Sequence, residues 1–355
     1  MCEWPKNLNT DCDTALFIRY IVKRLRGCVK KFVTVSFIYK FMEGTVIKNT
    51  GSSYIVRTDD GTEMPCKIKG NFRIKGIRTT NPVAVGDKVE VRPSESGDSY
   101  ITAISPRRNY IIRRSSNLSK EAHIIAANID SACLVATLFH PVTSTTFIDR
   151  FLATAEAYAI PATLVINKTD LCKGDSEREE YLEAVTYLYR SIGYSVIHTS
   201  AESGEGIDEL RKHLAGKTTL LSGNSGVGKS TLINRLIPGL ELRTAEISSV
   251  HDTGMHTTTF SEMFELPAPG GFIIDTPGVK GFGTVDINRN EVAHYFPEIF
   301  KVSADCKYNN CTHTHEPGCA VRTAVEDNLI SRSRYSSYLS ILEDTMGEDK
   351  YRKAY

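Results

Sequence analysis

Gly223-Asn224-Ser225-Gly226-Val227-Gly228-Lys229-Ser230 is a complete phosphate-binding loop. Backbone N–H groups that meet phosphates at close range need glycines, and Gly223, Gly226 and Gly228 supply that freedom. Lys229 sets a compact positive charge at the β/γ-phosphates, and Ser230 offers a hydroxyl to Mg2+. The apolar run Thr218-Thr-Leu-Leu221 reads as the strand feeding the loop. A helix opening near Lys229, with Thr231 in its first turn, aims its positive end at the same charge.

The loop does not choose between ATP and GTP. Asn167-Lys168-Thr169-Asp170, at the end of the apolar strand Pro161–Ile166, does. The Asp170 carboxylate can accept from the paired guanine N1–H and 2-amino group. Adenine lacks that pair and would leave a buried acceptor unmet. Asn167 tethers the segment, and the Lys168 stem covers the base. Ser200-Ala201, after the strand Tyr194–His198, offers backbone N–H groups to the guanine carbonyl. In ordinary GTPases the guanine motif follows the phosphate loop; here it precedes it. The order is circularly permuted.

Two further segments complete the expected site. Asp275-Thr276-Pro277-Gly278 follows the apolar strand Phe272–Ile274. Asp275 suits Mg2+ through water, and the Gly278 N–H suits the γ-phosphate, where hydrolysis is sensed. Gly254–Thr259 reads as a first switch whose Thr257 or Thr258 closes on Mg2+; we favour Thr258. Val279 stands where Ras-like enzymes hold a water-orienting glutamine. Hydrolysis then needs another group, and His256 is the candidate to position the water or take its proton. His256 and Lys229 are therefore the expected catalytic pair.

Cys306-x4-Cys311-x-His313-x5-Cys319 gathers soft thiolates and an imidazole, a donor set for one tetrahedral, structural Zn2+. His315 is a rival nitrogen ligand. The chain has nine cysteines, with the others scattered, which fits a reducing cytosol better than a disulfide framework.

The 355 residues are 41% hydrophobic and 24% charged, with net charge +1, as for a soluble multidomain protein. Residues 42–114 show short period-two runs around turns, suggesting a small closed β-barrel of OB type. They carry 13 Lys+Arg against 8 Asp+Glu. Lys67, Lys69, Arg73, Lys75 and Arg78 form an acid-free run that fits either an RNA backbone track or a solvated strand face. Residues 115–288 alternate strand and helix as a doubly wound α/β sheet, with ligand residues after strand C-termini. Residues 289–355 read as a helical, metal-binding third domain. Residues 1–41 mix apolar and basic positions in stretches too short to span a bilayer, and we expect translation to begin at Met42. No dimerisation stripe is seen, so a monomer is expected.

Taken in order, Asn167–Asp170, Gly223–Ser230, His256–Thr259, Asp275–Gly278 and the Cys/Cys/His/Cys cluster resemble the ribosome small-subunit-dependent GTPase A family over about residues 42–340. The resemblance implies an OB barrel, a permuted GTPase domain and a zinc domain with His313 as the nitrogen ligand. It also implies a cytoplasmic role in late small-subunit maturation, with GTP hydrolysis stimulated by the subunit. The basic barrel face would contact ribosomal RNA. Met255 departs from the arginine many members carry there, and residues before Met42 have no family counterpart. A second reading is a nucleotide-gated RNA-binding module with negligible turnover, which Val279 favours. A kinase is a poor third, given the guanine motif. Because the chain runs from Gly278 into the metal domain, loss of γ-phosphate contacts is expected to shift that domain relative to the barrel.

Overall fold

The computed structural model describes residues 41–51, 53–68, 82–93, 99–114, 122–242, 261–276 and 288–352. The expected start at Met42 concerns residues 1–41, of which 1–40 lie outside these. So do Lys69, Arg73, Lys75, Arg78, the switch residues His256, Thr257 and Thr258, and Gly278 with Val279.

Five strands, β1 (Met42–Asn49), β2 (Tyr54–Thr58), β3 (Glu63–Ile68), β4 (Lys88–Pro93) and β5 (Ser99–Ile104), form a closed barrel. Their order is β1-β2-β3-β5-β4, and β4 pairs back onto β1. The β3–β5 pairing is parallel and the rest antiparallel. Alternation explains the closure: Val46, Tyr54, Val56, Cys66, Val89, Val91 and Ile101 fill the interior, while Lys88, Glu90 and Lys67 face outward. Below the barrel, the buried Asp87 carboxylate accepts Arg107 Nε and Nη2, both at 2.6 Å.

A two-stranded pair, β6 (Tyr110–Arg114) and β7 (Ala122–Ala127), leads into the sheet and straddles the boundary expected at residue 114. The sheet itself runs β10 (Ser195–His198), β9 (Ala162–Ile166), β8 (Ser131–Ala136), β11 (Thr218–Gly223), β13 (Phe272–Asp275), all parallel. On its edge lies β12 (Glu262–Glu265), antiparallel to β13. Helices cover both faces, so the central strands are apolar throughout; every residue of β8 is buried. Helices Thr145–Ala157 and Ser176–Ile192 lie on one face, Ile207–Leu214 and Lys229–Leu236 on the other. β12 also pairs with β1, reinforced by Lys48–Glu262 at 2.8 Å and Arg57–Glu265 at 2.7 Å. Barrel and sheet thus share one continuous strand array.

Helices Pro297–Ser303, Ala320–Glu326 and Arg332–Arg352 build the C-terminal part around Val292, Phe296, Ile299, Val321, Tyr338 and Ile341. Pro297 opens its helix at the first position, where a missing N–H costs nothing. No described helix is long and apolar enough to cross a membrane.

Candidate functional site: a guanine-nucleotide cleft and a metal cluster

Parallel strands put the ends of β8, β9, β10, β11 and β13 on one side of the sheet, and the site is assembled from the loops that follow them. Asn167 is the hub. Its Nδ2 donates to the Val227 carbonyl at 2.8 Å. Its Oδ1 accepts the Thr199 hydroxyl at 3.1 Å and the Ala201 N–H at 3.2 Å. One buried amide therefore ties the phosphate loop, the base-reading loop and the Ser200 loop together.

Glycine is needed where these loops touch. At Gly228 φ is +87°, and a Cβ would sit 2.5 Å from Asn167 Nδ2. At Gly206 φ is +73°, and a Cβ would sit 1.8 Å from the His198 carbonyl oxygen. Gly206 is a site-shaping residue that the motif reading missed. Its signal was present in the Ser203-Gly-Glu-Gly206 turn composition.

Lys168 adopts a left-handed conformation and donates from Nζ to the His140 carbonyl at 2.8 Å. Burial lowers the pKa of its ammonium, against the pull of Asp170. Thr169 is fixed by its N–H (3.2 Å) and hydroxyl (3.1 Å), both donating to the Thr199 carbonyl. Asp170 lies in the first turn of the short 3-10 helix Thr169–Cys172, where its carbonyl accepts the Lys173 N–H at 3.3 Å. The loop Phe139–Val142 was not anticipated; Pro141 lies 3.6 Å from where a Gly226 Cβ would be.

In the phosphate loop, Gly223 ends β11 and Lys229 opens its helix. Asn224, Ser225 and Gly226 line the rim, with Ser225 and Gly226 exposed, whereas Val227 is buried beneath. Ser230 and Thr231, half-buried, form the first helical turn. The ammonium of Lys229 is buried, pairs with Asp275 Oδ1 at 2.6 Å and donates to the Thr276 carbonyl. Ser200 and Ala201 are both buried in the loop after β10. The Ser200 N–H donates to the Glu205 carbonyl at 3.0 Å and the Ala201 N–H to Asn167. Both donors are committed within the protein because the Gly204 and Gly206 turns fold the loop back on itself. Asp275 ends β13 beside Ser230's helix, while His256, Thr258 and Gly278 fall outside the described residues. In the barrel, Lys67 sits exposed on β3.

The second cluster is compact. The donor atoms of Cys306, Cys311, His313 and Cys319 all lie within 4.8 Å of one another. Cys306 Sγ is 4.0 Å from Cys319 Sγ. His313 Nδ1 is 3.6 Å from Cys306 Sγ and 3.5 Å from Cys319 Sγ. A tetrahedron with metal–sulfur bonds of about 2.3 Å has edges of roughly 3.8 Å, so the four donors are spaced to hold one metal ion. Burial, and then the adjacent Cys319 and Cys306 sulfurs, push the Cys311 thiol up to about 12, so thiolates gathered this closely call for a cation. Burial keeps His313 below its ordinary value, in the neutral form a metal needs. Tyr335 and Tyr338 hydroxyls donate to the His313 and Thr312 carbonyls at 2.6 and 2.8 Å, holding the ligand loop. His315 points elsewhere: it is exposed and its Nδ1 meets Thr314 Oγ1.

Sheet order, loop positions and the base-reading segment ahead of the phosphate loop define a circularly permuted GTPase with an N-terminal five-stranded barrel and a C-terminal metal cluster. The RsgA GTPase family model matches residues 104–285, and the RsgA N-terminal domain model matches 43–101. The chain belongs to the RsgA family of small ribosomal subunit biogenesis GTPases, which hydrolyse GTP. A small ribosomal subunit biogenesis GTPase RsgA of Bacteroides fragilis is 62% identical over 314 residues, 88% of this chain and 100% of that protein. Its counterpart from Christiangramia forsetii is 51% identical, covering 88% and 98%. The crystal structure of YjeQ from Thermotoga maritima superposes with a TM-score of 0.67 at 33% identity, covering 87% of this chain and 99% of that one. That of YloQ, a circularly permuted GTPase, gives 0.65 at 30%, covering 88% and 98%.

Proposed function

We propose that this protein binds GTP with Mg2+ in the cleft around Asn167, and that contact with the small ribosomal subunit stimulates hydrolysis and so drives release. The observation that carries the reading is the Asn167 hub, which brings three loops to one point. Asp170 reads guanine because its acceptors meet the N1–H and 2-amino donors. On nucleotide binding, Lys229 exchanges Asp275 and the Thr276 carbonyl for the β/γ-phosphates. Ser230 and Thr258, with Asp275 through water, are the residues that would hold Mg2+, which would supply charge neutralisation at the phosphates. The phosphate-loop N–H groups from Asn224 to Thr231 cradle the phosphates, and Gly278 meets the γ-phosphate. We assign the positioning of water to His256, since Val279 cannot do it.

Zinc is the metal we assign to Cys306, Cys311, His313 and Cys319; four protein donors leave no open position, so its role is structural. Residues 42–114, 115–288 and 289–355 serve as the RNA-binding, GTPase and metal-binding domains of a cytoplasmic monomer. The barrel contacts ribosomal RNA through Lys67, Lys69, Arg73, Lys75 and Arg78. Steady-state GTP hydrolysis, with and without small subunits, on wild type and His256→Ala tests the reading. We expect strong stimulation for wild type, and unchanged GTP affinity with lost stimulation for His256→Ala. Negligible turnover even with subunits would favour the nucleotide-gated RNA-binding module that Val279 permits.

A further inference from the structure

Against the metal cluster, with Cys311 and His313 in its wall, and outside the nucleotide cleft, lies a cavity of about 230 Å³. Arg289, Asn290, His294, Tyr308, Asn309 and Asn310 line it, and no carboxylate does. We propose that this cavity binds one unpaired nucleotide of RNA. The proposal rests on the reading above that the protein works on RNA, and adds a site away from the barrel.

Size comes first. Pockets for whole drug-sized ligands run to roughly 300–1,000 Å³, so this one suits a single planar group carried on a larger molecule. Chemistry narrows the choice. Three carboxamides provide donors and acceptors in pairs, the type of group that reads base edges. Tyr308 is 40% exposed, and Lys307 Nζ lies 5.4 Å from its ring centroid. One neighbouring pair thus presents an aromatic face for a base and a cation for the adjoining phosphate. Arg289 Nε is buried and finds no hydrogen-bond partner among the described residues. Leaving such a donor unmet is costly, and an acceptor entering the cavity relieves it. Of aliphatic residues the lining holds only Ala293, so the cavity offers polar edges and aromatic rings and not an aliphatic slot. Rigidity comes from the metal loop: Asn309 and Asn310 are tethered at Cys311, and Tyr338 pins Thr312.

The test uses the full, metal-loaded chain and a short fluorescein-labelled single-stranded RNA, with a duplex of the same length as comparison, read by anisotropy. Tyr308→Ala should weaken single-strand binding about 5- to 150-fold and leave duplex binding nearly unchanged, the range expected for one stacked base. Tyr308→Phe should restore it. Arg289→Gln should weaken it as well. Bound metal per chain and melting temperature serve as folding controls and should match wild type. Equal affinity of wild type and Tyr308→Ala for the single strand overturns the cavity site alone. If wild type binds neither RNA, the broader reading of RNA binding fails with it. Equal losses on single strand and duplex assign Tyr308 to a general backbone surface and also overturn the proposal.

Discussion

Asn167 Nδ2 donates to the carbonyl of Val227, 60 residues further along the chain, at 2.8 Å. That bond joins the segment that reads the base to the loop that holds the phosphates. It is indifferent to chain order, which is why permutation leaves the site intact. The strands, not the connections, decide which loops converge.

Asn167→Ala removes a donor and an acceptor and leaves the Val227 carbonyl, the Thr199 hydroxyl and the Ala201 N–H without their partner. Each buried loss costs about 1–3 kcal/mol. We expect GTP affinity, read with a fluorescent GTP analogue, to fall on the order of a hundredfold or more. Asn167→Asp keeps the acceptor but sets a carboxylate oxygen against the Val227 carbonyl, and should be at least as damaging. If Asn167→Asp binds like wild type, the donor bond to Val227 is irrelevant.

Gly206→Ala tests the Ser200 loop without touching any nucleotide-motif residue. Positive φ and a 1.8 Å approach to the His198 oxygen leave no room for the methyl, so the backbone must move. The cost should be at least about 1–3 kcal/mol, lowering the melting temperature and displacing Ala201 from Asn167. Only glycine should support full stability and GTP affinity; Gly206→Asn, which tolerates positive φ but carries the same Cβ, should also lose both. An unchanged melting temperature would show that the turn is not fixed as described.

Two histidines give the domain a pH signature. His198 Nε2 meets Thr186 Oγ1 at 2.7 Å, and His213 Nε2 meets Thr163 Oγ1 at 2.9 Å. Burial lowers both from an ordinary value of 6.5, helped by Arg190 beside His198 and Lys217 beside His213. Below 6.5 the unfolded chain takes up protons that the folded chain resists. Stability is therefore full above about pH 6.5 and falls as pH drops toward the folded values. Melting temperatures from about pH 7.5 to about 5.5 should decline, and less steeply in His198→Gln/His213→Gln. Parallel slopes for variant and wild type would remove these histidines as the cause.

Much of this was legible in the sequence because strand ends carry the motifs. Asn167–Asp170, Gly223–Ser230 and the Cys/His spacing each sit where a reading of residues placed them. The grouping of Cys306, Cys311, His313 and Cys319 was legible from their spacing, with His315 set aside on resemblance. What stayed hidden depends on contacts distant in sequence. β12 is four residues with a single buried side chain, Met263, too short to register as a strand. β3 was obscured by its lysine and proline, since a barrel strand needs only one apolar face. The commitment of the Ser200 N–H to Glu205, and of Lys229 to Asp275, follows from packing that no motif encodes.

Removing the metal tests the C-terminal cluster. Cys319→Ser or chelation should lower the thermal stability of the region built on Val321, Tyr338 and Ile341, while GTP affinity stays near wild type because Asn167 lies elsewhere. Elemental analysis should return one zinc per chain. A melting curve that ignores chelation would mean that the tyrosine bonds to Thr312 and His313 suffice to hold the loop.

The expected shift of the metal domain against the barrel meets an asymmetry in how each is attached. Arg334, fully buried, donates from Nη1 to Asp149 at 2.8 Å and from Nε and Nη2 to Glu298 at 2.7 and 3.1 Å. The Tyr189 hydroxyl completes the group by donating to Asp149 at 2.9 Å. This strut locks the C-terminal helices onto helix Thr145–Ala157 in the GTPase sheet. The barrel is held by β1–β12 pairing and the half-exposed Lys48–Glu262 and Arg57–Glu265 pairs, a type worth about 0–1 kcal/mol each and screened by salt. Motion between nucleotide states should therefore appear at the barrel junction and not at the strut. Hydrogen exchange in high salt should speed up at β1 and β12 while helix Arg332–Arg352 keeps its protection. Arg334→Met alone strands two carboxylates and should cost about 3–5 kcal/mol, and adding Asp149→Leu should recover part of it. Equal salt sensitivity at both attachments would mean that the metal domain, like the barrel, is free to swing.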